Sequence, residues 1–255
     1  MIQNKETAVV VLRPSESCQL IGQAVAALPT VQQRLSHGHM VIVGGSTTRC
    51  VAHALIDEDP GLDTFAVGWV NHGLLGETDP QLRGEGPIIF DNGAISRGWP
   101  GPVLEKFVAN DIYIKGGNAL DSRGNVGVLM GSPVGGTIGA AFTLLMARGG
   151  QLIIPISLQK QIPSVFHAVS LLGQGRVDRV MGMPVGMMPI PAGTATVVTE
   201  IEAFHTLFNV KATQVAAGGV GDSQGAVVIH LEGNRQNMNQ AWDAVQTIRN
   251  GLDAP

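Results

Sequence analysis

Met40-Val41-Ile42-Val43-Gly44-Gly45-Ser46-Thr47-Thr48 decides the class of fold. Its four apolar residues, three of them β-branched, read as a short strand covered on both faces, the kind found in parallel sheets. The two glycines interrupt the strand, and Ser46, Thr47 and Thr48 are residue types that open helices. A helix carrying Val51, Ala52, Ala54 and Leu55 follows. A buried strand that passes through a Gly/Ser/Thr turn into a helix is the repeating unit of an α/β protein.

Upstream, Val9-Val10-Val11-Leu12 is a similar run, ended by Arg13-Pro14, after which Ser15 or Ser17 is expected to cap a helix through Ala27. Downstream, strands are expected over residues 64–70, 87–90, 111–115, 126–130 and 151–156, with an apolar helix over 137–147. The expected architecture is α/β: an open, mostly parallel sheet with helices on both faces over residues 1–192, followed by a small α+β lobe over 193–255. In that lobe Thr199 and Glu202 form a capping box before the apolar residues of 201–208. Residues 211–217 and 225–231 then pair as antiparallel strands, and Trp242, Val245 and Ile248 recur at helical spacing. Between the two units, residues 181–191 hold four methionines and three prolines, a composition suited to core, linker or an adaptable pocket wall.

The bulk composition excludes several classes. A chain of 255 residues buries a substantial core without disulfides, and Cys18 and Cys50 both fall in helical stretches. With no signal peptide, a reducing, cytoplasmic setting is expected. No apolar run approaches the roughly 20 residues of a spanning helix, so no membrane partner is expected. A net charge of −4 without a basic cluster, and only 4% aromatic residues, argue against nucleic acid. Glycine, at 34 of 255 residues, is nearly twice its usual share of about 7%. These glycines cluster in turns, which points to close backbone approach to a ligand.

Three turns stand out. Gly44, Gly45, Ser46, Thr47 and Thr48 lie between strand and helix, where backbone N–H groups and the helix dipole favour phosphates and carboxylates; an ordinary capped turn is the plainer alternative. They form neither a Walker loop nor a dinucleotide fingerprint. Lys115, Gly116, Gly117, Asn118 and Asp121 follow a second strand, at the carboxyl end where ligands of α/β proteins bind; a polar turn with an Asx cap is the competing reading. Gly135, Gly136 and Thr137 open a third helix and add N–H donors, and Lys160 follows a further strand. His37-Gly38-His39 lacks partners at metal-ligand spacing, so neither metal nor cofactor is expected. No Gly-x-Ser-x-Gly elbow is present.

In this order the turns resemble those of the sugar-phosphate isomerase and CoA-transferase group, which includes ribose-phosphate isomerase, glucosamine-phosphate isomerase and the sensor domains of sugar-responsive repressors. Gly44 to Thr48 looks like the phosphate-binding turn of that group. Lys115-Gly116-Gly117-Asn118-Ala119-Leu120-Asp121 is similar to its strand ending in Asp-Gly-Ala-Asp-Glu-Ile-Asp, and residues 135–160 resemble its later glycine cluster, helix, strand and Ser/Lys turn. The likeness spans roughly residues 41–160, and the C-terminal lobe echoes the small α+β insertion of the isomerases.

The resemblance implies a bound phosphorylated or carboxylated metabolite, isomerase- or transferase-like chemistry and homo-oligomers. The catalytic glutamates of the group are missing: Lys115, Asn118 and Ala119 replace acids, and Asn71 stands where the transferases carry a nucleophile. Asp121, Lys115, Asp91 and His72 are the remaining candidates for proton transfer. A non-catalytic metabolite sensor or a structural subunit of an assembly is the alternative. No basic recognition helix precedes Met40, as a DNA-bound sensor would require.

Overall fold

The computed structural model describes residues 5–56 and 58–253. The chain is a mixed α/β protein. In order it forms β1 (Lys5–Leu12), α1 (Pro14–Ala27), α2 (Pro29–Arg34), β2 (His39–Ile42), α3 (Ser46–Ile56), α4 (Leu62–Phe65), β3 (Gly68–Asn71), β4 (Leu74–Glu77), β5 (Ile88–Asp91) and β6 (Ala94–Arg97). It continues through α5 (Gly101–Leu104), β7 (Ile112–Ile114), β8 (Ala119–Leu120), β9 (Val126–Met130), α6 (Gly136–Arg148), β10 (Gln151–Pro155), α7 (Val165–Leu171), β11 (Gly186–Ile190) and β12 (Thr196–Val198). It ends with α8 (Glu200–Phe208), β13 (Lys211–Gly218), β14 (Ala226–Asn234) and α9 (Arg235–Asp253).

The main sheet has the strand order β12-β10-β7-β2-β5-β6. The first four strands are mutually parallel, β5 is antiparallel to them, and β6 pairs antiparallel with β5. Met40, Val41 and Ile42 of β2, and all three residues of β7, are wholly buried, as a continuous apolar run in a two-faced sheet requires. Because β2, β7 and β10 are parallel neighbours, the turns that leave them emerge on one edge. Pairing runs a residue past each strand, with Val43 N–H donating to Ile114 O at 2.9 Å and Lys115 N–H to Ile153 O at 3.0 Å.

Several expected strands take other places. Residues 64–70 divide into the end of α4 and a hairpin, β3–β4, paired from Gly68↔Glu77 to Asn71↔Leu74. The strand expected over 87–90 is β5, antiparallel to β2 instead of parallel. That expected over 126–130 is β9, which joins a separate antiparallel sheet of order β11-β9-β8.

The N-terminal strand departs furthest. β1 pairs antiparallel with β14, in register from Lys5↔Asn234 to Leu12↔Val227, within a sheet of order β1-β14-β13. The expected division after residue 192 groups β1 with the larger unit, yet its hydrogen-bonded partner lies in the C-terminal segment. Val10 and Leu12 are buried while Val9 and Val11 are 55% and 43% exposed, the period of a strand with one covered face. Four consecutive apolar residues conceal that alternation. The helix-strand-strand-helix order expected after Thr199 is present, and the capping box forms, with Thr199 N–H donating to Glu202 Oε2 at 2.8 Å.

The start of α1 is held by Glu16, not by Ser15 or Ser17. The buried Glu16 carboxylate accepts from Arg13 N at 2.8 Å, Arg13 Nε at 3.0 Å and Arg249 Nε at 2.8 Å. Arg249 of α9 also donates to Val11 O at 2.7 Å, so one carboxylate joins the first strand, the first helix and the last helix. Burial pushes this carboxyl up, but the hydrogen bonds from Arg249 and Arg13 outweigh it and hold Glu16 below the usual glutamate value. A depressed carboxylate stabilises the fold above its unfolded value and loses that contribution as pH falls through its folded value. Glu16→Gln should therefore destabilise by about 3–5 kcal/mol at pH 7. Urea unfolding at decreasing pH should show the gap from the unaltered protein closing below about pH 4.5.

Candidate functional site

The edge where β2, β7 and β10 finish opens into a cavity of about 510 Å³. Gly44, Gly45, Ser46 and Thr47 line it from the β2–α3 turn, Lys115, Gly116, Gly117 and Asn118 from the end of β7, and Gly135, Gly136 and Thr137 from the start of α6. Lys160 enters from the turn after β10. Four segments quoted separately from the sequence thus converge on one space.

Each turn is fixed by local chemistry. Gly135 and Gly136 have φ of +83° and +57°, left-handed values that only glycine adopts freely, and they let β9 enter α6 abruptly. The buried Tyr113 hydroxyl donates to Thr137 O at 2.9 Å, pinning the first turn of α6 to β7. Gly44 passes so close to Phe65 that a Cβ would stand 1.7 Å from the Phe65 carbonyl oxygen. Its smallness serves packing as well as access. Asn118 Oδ1 accepts from Leu129 N at 3.0 Å and ties the β7 turn to β9. The first-turn N–H groups of α3 and α6 have no intrahelical acceptor, and of the residues that carry them Ser46, Thr47, Gly136 and Thr137 line the cavity.

Lys160 lies at the end of a short 3-10 turn, Leu158–Lys160. The wholly buried Glu200, first residue of α8, accepts from Ser157 Oγ at 2.5 Å and Leu158 N at 2.9 Å and so clamps that turn. Lys160 Nζ donates to Gly117 O at 3.0 Å, which links the β10 turn to the β7 turn. The Lys115 ammonium has no hydrogen bond or ion pair among the described residues. Burial, followed by the nearby positive charge of Lys160, brings the Lys115 ammonium down to about 8. Burial likewise lowers Lys160, against an opposing pull from Cys18 and Glu200.

The opposite wall is mostly apolar and was not singled out from the sequence, apart from the methionine-rich segment. Trp69, Trp99, Leu75, Met130, Met183 and Val185 contribute to it, with Arg83 and Glu77 as its charged members. Trp69 lies flat against Gly76, where a Cβ would stand 2.2 Å from the ring. The hairpin is tied to the methionine segment, Leu75 N–H donating to Met181 O at 3.0 Å and Met183 N–H to Leu75 O at 2.8 Å. Among the described residues Glu77 is the one acid in the lining, and its Oε2 lies 2.9 Å from Arg83 Nη2.

Four of the residues expected at the site lie outside the lining. Thr48 is buried, and its hydroxyl donates to Gly45 O at 3.1 Å. Asp121 is buried too, and accepts from the N–H groups of Arg123 at 3.0 Å, Asn125 at 3.1 Å and Val165 at 3.0 Å, an anchor between the β8–β9 turn and α7. Its proximity to Lys115 in sequence conceals that it lies outside the cavity lining. Asp91 pairs with Lys106 at 2.9 Å and His39 at 3.4 Å, and His72 occupies the exposed tip of the β3–β4 hairpin with φ of +50°. Cys18 and Cys50 are free thiols, and Cys18 Sγ lies 3.7 Å from Thr47 Oγ1, behind the first turn. Among the described residues no three His, Cys, Asp or Glu side chains gather to hold a metal ion, and no helix is long and apolar enough to cross a membrane.

Removing the Glu200 carboxylate should release the turn that carries Lys160. Glu200→Ala is expected to cost about 1–3 kcal/mol of stability, because two buried donors lose their acceptor. Amide exchange at Leu158 and Lys160 should quicken beyond the global change, which hydrogen-exchange mass spectrometry reads directly. Among known proteins the chain matches no family model, no curated protein and no solved structure.

Proposed function

We propose that this cleft binds a small metabolite carrying a phosphate or carboxylate. The observation that carries the reading is the entry of Lys115 and Lys160 into one cavity without an ion-paired carboxylate among the described residues. Burying an ammonium costs free energy unless something compensates it, and an anionic guest supplies the missing charge. The glycine turns add backbone donors, and the first turns of α3 and α6 add the positive ends of two helix dipoles. With Arg83, the lining carries three cations against one acid.

The likeness to the sugar-phosphate isomerase and CoA-transferase group favours a phosphorylated or carboxylated ligand and homo-oligomers, and it makes isomerase- or transferase-like chemistry the first enzymatic reading. The lining shapes that reading. Glu77 is its one carboxylate and is paired with Arg83, so proton shuttling between carbons lacks a free base. Binding is the better supported half of the proposal, and a non-catalytic sensor uses the same cleft.

Thermal-shift measurements with inorganic phosphate, sugar phosphates, nucleotides, CoA esters and small carboxylates test the reading, since a ligand that binds only the folded chain raises Tm by mass action. At least one class should produce a saturable rise that Lys115→Ala removes. A rise left intact by that substitution would place the site elsewhere. The pH dependence has a definite sign. An anion prefers the protonated amine, so affinity should fall as pH rises through about 8, the value set by burial and Lys160, and binding near pH 8 should take up protons. Calorimetry in buffers of different ionisation enthalpy measures that uptake.

A further inference from the structure

We propose, resting on the anion-binding reading above, that Lys115 is an amine nucleophile that condenses with the carbonyl group of a short oxo acid, whose carboxylate is held by Lys160 and the glycine turns. The position of Lys115 is fixed. Its backbone N–H is bonded to Ile153 O at 3.0 Å, at the end of the buried central strand β7. Its side chain borders the cavity, and no described carboxylate or carbonyl engages the amine.

A lysine whose sole task is to attract anions works best fully charged. Here burial and the neighbouring cation act against the charge and bring the amine to about 8. At pH 7 roughly a tenth of such an amine is neutral, against fewer than about one in a thousand for an ordinary lysine. Only the neutral form has the lone pair that attacks a carbonyl. Lys160 has a different role, because its ammonium is tethered to Gly117 O at 3.0 Å and remains beside Lys115 as a fixed cation. Both lysines line one cavity, so a carboxylate resting on Lys160 leaves the carbonyl of a short oxo acid in the space that Lys115 borders. The hydroxyl residues Ser46 and Thr137 border the same space and supply partners for the carbinolamine oxygen. Trp69, Trp99 and Met183 form an apolar wall that limits the access of water to the product.

The step balances without an added reactant. The Lys115 ammonium first releases one proton. The amine then forms a C–N bond to the carbonyl carbon, and a proton moves from nitrogen to oxygen to give the carbinolamine. The released proton returns to that oxygen, the C–O bond breaks, water departs, and a protonated imine remains. No oxidant, reductant or metal takes part.

Trapping with sodium borohydride, using the whole chain and pyruvate or acetoacetate as probe, tests the proposal. Intact mass should show one reduced adduct per chain, and peptide mapping should place it on Lys115. Lys115→Arg retains a cation but no comparable nucleophile, and should lower the adduct at least about tenfold. Lys160→Ala should slow trapping while leaving Lys115 the modified residue. Mapping of the unaltered protein stands whether or not a variant folds. Adduct scattered over surface lysines, or absent, overturns the proposal. Titration with inorganic phosphate in the same preparation separates the two readings: saturable phosphate binding without an adduct rejects the imine alone, and loss of both rejects the cleft as an anion site.

Discussion

The parallel alignment of β2, β7 and β10 is the constraint on which the rest of the structure depends. Strands that run the same way must finish on the same edge, so each loop that follows them is delivered to one place, whatever its distance in sequence. Residues 44–47, 115–118 and 160 meet for that reason. Hydrogen bonds one residue beyond each strand, at Val43, Lys115 and Ile156, fix the exit points of the loops. The antiparallel neighbours β5 and β6 lengthen the sheet without adding a turn of this kind. The third glycine turn reaches the same edge by another route, through β9 and the sharp entry into α6.

That gathering has an electrostatic consequence. Backbone N–H groups at helix starts are dipoles that cannot be neutralised by titration, and they sit beside two lysines that can be. Burial first, and then the positive charge of Lys160, makes the Lys115 amine release its proton more readily than a surface lysine. Among the described residues the buried carboxylates all have partners, Asp121 and Glu200 in neutral hydrogen-bond donors. Glu16 is met by Arg13 and Arg249, and Asp111 by His39 at 3.0 Å, so the fold tolerates buried ions where it supplies their partners. Lys115 is the departure from that pattern, and departures of this kind concentrate where a protein binds or reacts.

The edge strands β6 and β12 were not expected, whereas the central strands β2, β7 and β10 were legible in the sequence because they are short and almost wholly apolar. Each of these features follows from burial on two faces and a tight exit. The turns could be identified for the same reason; parallel pairing brings the first two together, and the third arrives from β9, outside the main sheet. What the sequence concealed was partnership over long range. Nothing in Val9 to Leu12 states that its neighbour is Val227 to His230, and the alternation that marks a one-faced strand vanishes when both faces are valine. The apolar wall was hidden because it belongs to a hairpin whose side chains are half exposed, a pattern shared with ordinary surface loops. Glycine was legible as abundance but not as cause. Gly44 and Gly117 admit neighbouring atoms of the protein itself, so not every glycine near the cleft reports a ligand.

Asp121 shows how a residue's chemistry is decided by what surrounds it. In sequence it follows Lys115 by six positions and looks like the surviving acid of a catalytic strand. The short β8 strand turns the chain over between them, and the Asp121 carboxylate is used by three backbone N–H groups and the Asn125 side chain. Those hydrogen bonds outweigh its burial and hold it below the usual aspartate value, so it stays ionised and structural at neutral pH. A carboxylate committed in this way is a poor proton acceptor, since protonating it would break the junction between β8, β9 and α7. With Asp121 occupied and Glu77 paired to Arg83, the reactive group that the cleft retains is an amine. On the proposed reading, the cleft uses what a lysine does well, which is to hold an anion when charged and to attack a carbonyl when neutral.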